Sequence, residues 1–264
     1  MATPVVFIHG LWLHATSWQP WIDKFTEAGY APIAPEWPGG PDTVAAARAN
    51  PDAVAGFGVT AVADHYADII AGLPEKPVVI GHSFGGLLVQ NLVGRGITLG
   101  GVAIDPAPIK GVLSLPLSAL RVASIALRNP SNQKKAVSLT KDEFRYGFGN
   151  ALSIEESAEL YEKWAIPSPG KPLFEAAFAN FSPNAPTKVD TANPTRGPLL
   201  LTSGGHDHTV PPAIVKATLK QYAGSSAVTE LKTFEDRGHS LTVDHGWEEV
   251  AQASLDFLKA HSIT

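Results

Sequence analysis

Pro77-Val78-Val79-Ile80, followed at once by Gly81-His82-Ser83-Phe84-Gly85-Gly86 and then Leu87-Leu88-Val89, governs the reading of the whole chain. The first four residues are a short apolar run, as expected of a strand covered on both faces. A helix is expected from Leu87 to about Val93. Between them, Gly81-x-Ser83-x-Gly85 matches G-x-S-x-G at a sharp strand-to-helix turn. Such a turn strains the serine backbone, and side chains at the flanking glycines would clash. An ordinary glycine-rich turn has the same spacing, so the strand before and the helix after carry the weight. A phosphate-binding loop would need a Gly-Lys-Ser arrangement, and this loop has no lysine.

Working outward, strands and helices alternate. Pro4–Ile8 reads as a buried strand, and Trp18, Trp21, Ile22 and Phe25 form a helical stripe. Thr16 or Ser17 is the expected cap of that helix and Gly29 its stop. Tyr30–Ala34 reads as a strand, Val62 to Leu73 as a helical stripe and Val102–Ile104 as a strand ending at Asp105-Pro106. This rhythm predicts a parallel sheet covered on both faces. From 106 to 194 no strand is expected. Short helices are predicted instead at about 116–128, 141–148, 154–165 and 172–180, two of them opening with capping-box patterns, Thr140/Glu143 and Ser153/Glu156. The rhythm resumes with strands at 199–202 and 228–234 and helices at 213–222 and from Trp247 to Leu258. The expected organisation is therefore a core of residues 1–105 and 195–264, with a helical cap, 106–194, over the carboxyl ends of the strands. Ligands bind at those ends in open α/β sheets.

Composition agrees with one folded core. The chain has 264 residues, 44% hydrophobic and 17% charged, which excludes wholesale disorder and coiled coil. The net charge of −5 argues against nucleic acid as a partner. Absence of cysteine removes disulfides, thiolate metal sites and a cysteine nucleophile. No Lys or Arg precedes Lys24, and Val5–Ile8 is too short for a signal segment. No run approaches 18 apolar residues. The expectation is a cytoplasmic protein with no membrane partner.

A serine nucleophile needs a base, and the base an orienting acid. Gly204-Gly205-His206-Asp207-His208-Thr209-Val210-Pro211 follows the strand at 199–202, and Arg237-Gly238-His239-Ser240 follows the strand at 228–234. Ser83, Asp207 and His239 thus stand at three strand ends in the order Ser, Asp, His. Asp105 ends its own strand and competes for the acid role. His206 and His208 alternate on a loop, lack the helical spacing of a zinc pair and have no evident third ligand, so no metal site is expected.

With His9-Gly10, Gly81-x-Ser83-x-Gly85-Gly86, Gly205-x-Asp207-x-x-Val210-Pro211 and Gly238-His239, the chain resembles the α/β-hydrolase superfamily over nearly its whole length, in its esterase-like branch with a helical cap. The resemblance implies a three-layer α/β/α sandwich of about six mainly parallel strands, trimmed of the N-terminal hairpin many relatives carry. It implies Ser83 as nucleophile, His239 as base and Asp207 as acid. The backbone N–H groups of Leu11 and Phe84 would hold the oxyanion, with Trp12 replacing Leu11 if the loop is shifted by one. His9 reads as a hydrogen-bonding residue beneath that loop, and His14, His65, His245 and His261 as surface or helix residues. Pocket candidates are Trp12, His82, Asp105, Trp164, Phe174, Phe178 and Val210. The expected reaction is cofactor-free cleavage of a small or medium hydrophobic ester or lactone. C–C bond hydrolysis, amide hydrolysis, perhydrolysis and hydroxynitrile lysis use the same triad, and a non-catalytic receptor can share the fold. Oligomeric state is not encoded in any motif.

Overall fold

The computed structural model describes residues 2–264. In chain order the elements are β1 (Pro4–Ile8), α1 (Gln19–Glu27), β2 (Ala31–Ile33), α2 (Val44–Ala49), α3 (Val59–Ala71), β3 (Val78–His82), α4 (Phe84–Gly94) and β4 (Gly100–Ile104). Residues 106–194 carry α5 (Leu117–Leu127), β5 (Ala136–Val137), α6 (Lys141–Gly147), α7 (Ile154–Trp164), β6 (Ser168–Pro169) and α8 (Lys171–Ala177). The chain closes with β7 (Leu199–Gly204), α9 (Pro212–Gln221), β8 (Thr229–Phe234) and α10 (Trp247–Ala260).

The main sheet has six strands in the order β2-β1-β3-β4-β7-β8, and every pairing is parallel. Alternate residues of each strand face opposite ways. Val6 and Ile8 of β1 join Val62, Tyr66, Leu88 and Val215 on one face. Val5 and Phe7 join Trp18, Trp21, Phe25, Phe257 and Leu258 on the other. Phe7 stacks on Trp18 at 4.9 Å and meets Phe25 edge-on at 5.3 Å. The expected three-layer sandwich is present. After β1 the chain steps to β2 on one side and then returns to β3 on the other. The crevice at such a reversal lies between the carboxyl ends of β1 and β3, where His9-Gly10 and Ser83 emerge.

Several local expectations need correction. Neither Thr16 nor Ser17 caps α1. A 3-10 turn, Ala15–Trp18, precedes it, and the His14 side chain accepts from the Thr16 amide. Gly29 does stop the helix, with φ +92°. Two strands do occur between 106 and 194: β5 and β6 form an antiparallel pair of two residues each, too short to show an alternation in sequence. α2 went unpredicted because it buries only Ala47 and shows no apolar stripe. The Thr140/Glu143 capping box is complete. Ser153 caps the Glu156 amide, but the Glu156 carboxylate accepts instead from the His245 amide at 2.8 Å.

Candidate active site

The turn after β3 has the strain its glycines predict. Ser83 adopts φ 56°, ψ −117°, a region costly for any residue with a Cβ. A Cβ on Gly81 would lie 2.4 Å from the Gly85 carbonyl oxygen, and one on Gly85 2.1 Å from the Ile8 carbonyl oxygen. Only glycines let α4 begin immediately after the serine and press against the end of β1. Gly10 is equally constrained: its Cβ would stand 2.8 Å from the Ser83 Cβ. The loop after β1 is therefore packed directly on the candidate nucleophile.

The loop after β8 brings His239 to the same end of the sheet. His239 Nδ1 donates to Asp207 Oδ2 at 2.6 Å, and both side chains are buried. The other Asp207 oxygen accepts from the Thr209 and Val210 amides at 2.6 and 2.8 Å. With Nδ1 committed as a donor, Nε2 is left as the basic nitrogen. It is buried and has no partner among the described residues. His82 Nε2 donates to the His239 carbonyl at 2.7 Å, and Phe148 meets the His239 ring edge-on at 4.9 Å. Position and ring orientation of His239 are thus set from three sides.

Leu11 N–H and Phe84 N–H each donate to no described group. Trp12 N–H donates to Ser168 Oγ at 2.6 Å, which removes Trp12 as the alternative oxyanion donor. The His9 ring orients the Leu11 amide. His9 Nδ1 lies 2.8 Å from the Gly10 carbonyl, so it must be the donor there. A trans peptide is planar, so holding the Gly10 carbonyl on the His9 side turns Leu11 N–H the opposite way.

Ser83 lies at the floor of a cavity of about 310 Å³ between the strand ends and residues 106–194. Its walls include Trp12, Phe84, Ile109, Val122, Leu173 and Val210, and no charged side chain. The other pocket candidates lie elsewhere. His82 and Asp105 are buried and do not line the cavity. Phe174 is buried, and with Phe178 it lines a neighbouring depression. Trp164 packs on the core with Lys163 over its ring. Of the side chains in the 106–194 segment, those that face the cavity are mostly aliphatic, with Phe181 the aromatic among them.

Residues 5–253 match the sequence profile of the Alpha/beta hydrolase family. The chain belongs to that family. No curated protein matches it. Among solved structures, it is similar to a monoacylglycerol lipase from Paleococcus ferrophilus, 22% identical over 99% of this chain and 97% of that one, TM-score 0.67. A thermophilic esterase from Thermogutta terrifontis is 20% identical over 99% and 91%, TM-score 0.67. A pyrethroid hydrolase from Sphingobium faniae is 16% identical over 100% of both chains, TM-score 0.66. At these identities the likeness extends to the fold alone.

Two further carboxyl groups shape the site of this alpha/beta hydrolase. Asp105, at the end of β4, has φ 42° and accepts from the Gly204 amide at 2.8 Å. Its second oxygen is buried without a partner and stands 3.9 Å from His239 Nδ1. Burial pushes its carboxyl well above the ordinary 3.8, and the Asp207 carboxylate pushes it further. His82 moves the other way: burial and the neighbouring His239 hold it well below the ordinary 6.5. Atoms of His82, Asp105 and His239 lie within 4.8 Å of one another, yet the donor set suits a metal poorly. Ligands must be deprotonated, whereas Asp105 is pushed toward its protonated form and His239 Nδ1 is held by Asp207. His206 and His208 do not converge either, since His208 Nδ1 donates to the Tyr146 carbonyl at 3.0 Å.

Glu36, just past β2, was missed in the sequence. One oxygen lies 3.0 Å from His9 Nε2, and the other 3.0 Å from His14 Nε2 and 2.8 Å from the Ala15 amide. His14 is therefore buried, not a surface residue. No local pattern marks it: β1 pairs Val6 with Ile33, and only that register, extended three residues, brings Glu36 level with His9. Burial alone would raise the Glu36 carboxyl; the two imidazoles overcome it and hold the group far below the ordinary 4.5. A lowered carboxyl contributes stability that is present above 4.5 and is lost as pH falls below it. Glu36→Gln is expected to cost about 3 kcal/mol at pH 7, or about 6–12 °C in Tm. The gap from the parent should narrow steadily below pH 4.5. Melting curves from pH 3 to 7 check this; a gap constant over that range contradicts the assignment.

Proposed function

We propose that this chain is a serine esterase that cleaves carboxylic esters or lactones of small to medium apolar molecules through an acyl-enzyme intermediate. One observation carries the reading: a strained serine on the floor of an uncharged cavity stands at the same sheet edge as a histidine held at 2.6 Å by a buried aspartate. Ser83 Oγ attacks the ester carbonyl while His239 Nε2 takes its proton. Asp207 keeps Nδ1 protonated and stabilises the imidazolium. The Leu11 and Phe84 amides stabilise the oxyanion, each contributing about 2.7–4 kcal/mol in the transition state. His239 then protonates the leaving alcohol and activates the water that releases the acid. The cavity wall supplies no cation for a second carboxylate, which favours neutral substrates.

A short-chain p-nitrophenyl ester tests this directly. Rapid mixing should show a burst of nitrophenolate equal to the enzyme concentration if deacylation limits, and a serine-directed phosphonate should abolish turnover. Tight binding of the ester with no release of nitrophenolate would instead indicate a receptor built on this fold.

A further inference from the structure

The mouth of the cavity is rimmed by side chains that a soluble protein ordinarily hides. Leu117 and Phe181 are each 85% exposed, Leu113 75% and Leu115 70%. These are the four most exposed large apolar residues described, and Leu120 and Phe178 stand exposed nearby in sequence. Leu113, Leu115, Leu120 and Phe181 also line the cavity, so exposed apolar side chains continue into the space above Ser83, and Leu117 stands between Leu115 and Leu120 in the chain. Contiguous apolar patches of this kind mark interaction sites.

Charge indicates what covers the patch. α5 buries Val122, Ile125 and Ala126, and its exposed stripe is Leu117, Leu120, Arg121, Ser124 and then Arg128. That stripe pairs leucine with arginine and holds no acid. Residues 106–141 contain Lys110, Arg121, Arg128, Lys134, Lys135 and Lys141 but no Asp or Glu, in a chain whose net charge is −5; Arg128 pairs with Glu143 and Lys141 with Glu162, and Arg121 lies over the Tyr146 ring. Lys134 and Lys135 are exposed and form no ion pair with a described residue. An apolar face bordered by cations fits a surface that offers hydrocarbon below and negative charge above, as an anionic bilayer does. Self-association would bring the same cations together.

We propose that the rim formed by Leu113, Leu115, Leu117 and Phe181, with the basic border of residues 110–135, docks on an anionic lipid surface, from which apolar esters enter the cavity without crossing water. The entry of substrate rests on the esterase reading; the docking does not. No helix among the described residues is long and apolar enough to cross a membrane, which is why the sequence suggested no membrane partner. Docking needs only an exposed face.

The test uses the full chain carrying Ser83→Ala, so that binding is measured without turnover. Flotation with phosphatidylcholine vesicles, alone or with phosphatidylglycerol added to about a third, measures partition. At least tenfold stronger partition onto the anionic vesicles is expected, falling as salt is raised. Leu117→Glu should lower that partition about tenfold or more. Lys134→Gln with Lys135→Gln should lower it about fivefold for each charge removed. Equal partition onto both vesicle types, or binding unmoved by Leu117→Glu, would overturn the proposal. So would sedimentation showing a dimer that Leu117→Glu dissociates. Failure of the ester assay on the parent chain would overturn the esterase reading alone.

Discussion

Ser83→Ala is expected to lower kcat for a p-nitrophenyl ester by about 10⁶-fold, with a folded protein and little change in KM. The size of the effect follows from how the site is coupled. His239 Nε2 can accept a proton, but without Oγ it has no nucleophile to activate, and Asp207 then orients an idle base. What survives is binding and the Leu11 and Phe84 amides, which still favour the tetrahedral geometry for attack by water. Alanine retains the Cβ, so the backbone strain at φ 56° remains. Ser83→Gly is expected to be as inactive but more stable than Ser83→Ala by about 1–3 kcal/mol, because glycine adopts that region freely. Activity in either variant within tenfold of the parent would remove Ser83 from the mechanism.

The two aspartates should separate by about three orders of magnitude. Asp207→Asn is expected to cost about 10⁴-fold in kcat. Asp207 Oδ1 accepts two amides, from Thr209 and Val210, so an asparagine oxygen remains there and its NH₂ turns to His239. Facing a donor, Nδ1 must become the acceptor, the ring proton moves to Nε2, and the base is lost. Asp105→Asn leaves an oxygen for the Gly204 amide and places an NH₂ where burial and Asp207 already favour a protonated oxygen. Its kcat should stay within about tenfold of the parent. Asp105 is also the more distant from His239 Nδ1, 3.9 Å against 2.6 Å. Reversal of the two losses would transfer the acid role to Asp105.

The strand-to-helix turn at Ser83 and the strand-end positions of Asp207 and His239 were legible because each element nearby has a strong local signature. Fully apolar runs such as Val78-Val79-Ile80 read as buried strands, and Gly81 and Gly85 stand where a Cβ would strike backbone. The alternation of strands with helices likewise indicated a parallel sheet, while the strand order β2-β1-β3-β4-β7-β8 came only with the fold. Residues 106–194 were read less well. β5 and β6 are too short to alternate, and α2 has no apolar face. Trp164, Phe174 and Phe178 are aromatic enough to suit a pocket or a core, and composition does not distinguish the two.

The amino-acid order thus determined the family, the parallel character of the sheet and the candidate nucleophile and base, because these depend on periodicity and on close backbone approaches that only glycine allows. Folding alone decided which acid meets His239, which amide Ser168 occupies, that Glu36 links His9 to His14, and that Leu113, Leu115 and Phe181 surround the cavity mouth. Each of these is a contact between residues far apart in the chain. Their pairing depends on strand register and loop path, and no local pattern of residue types encodes either.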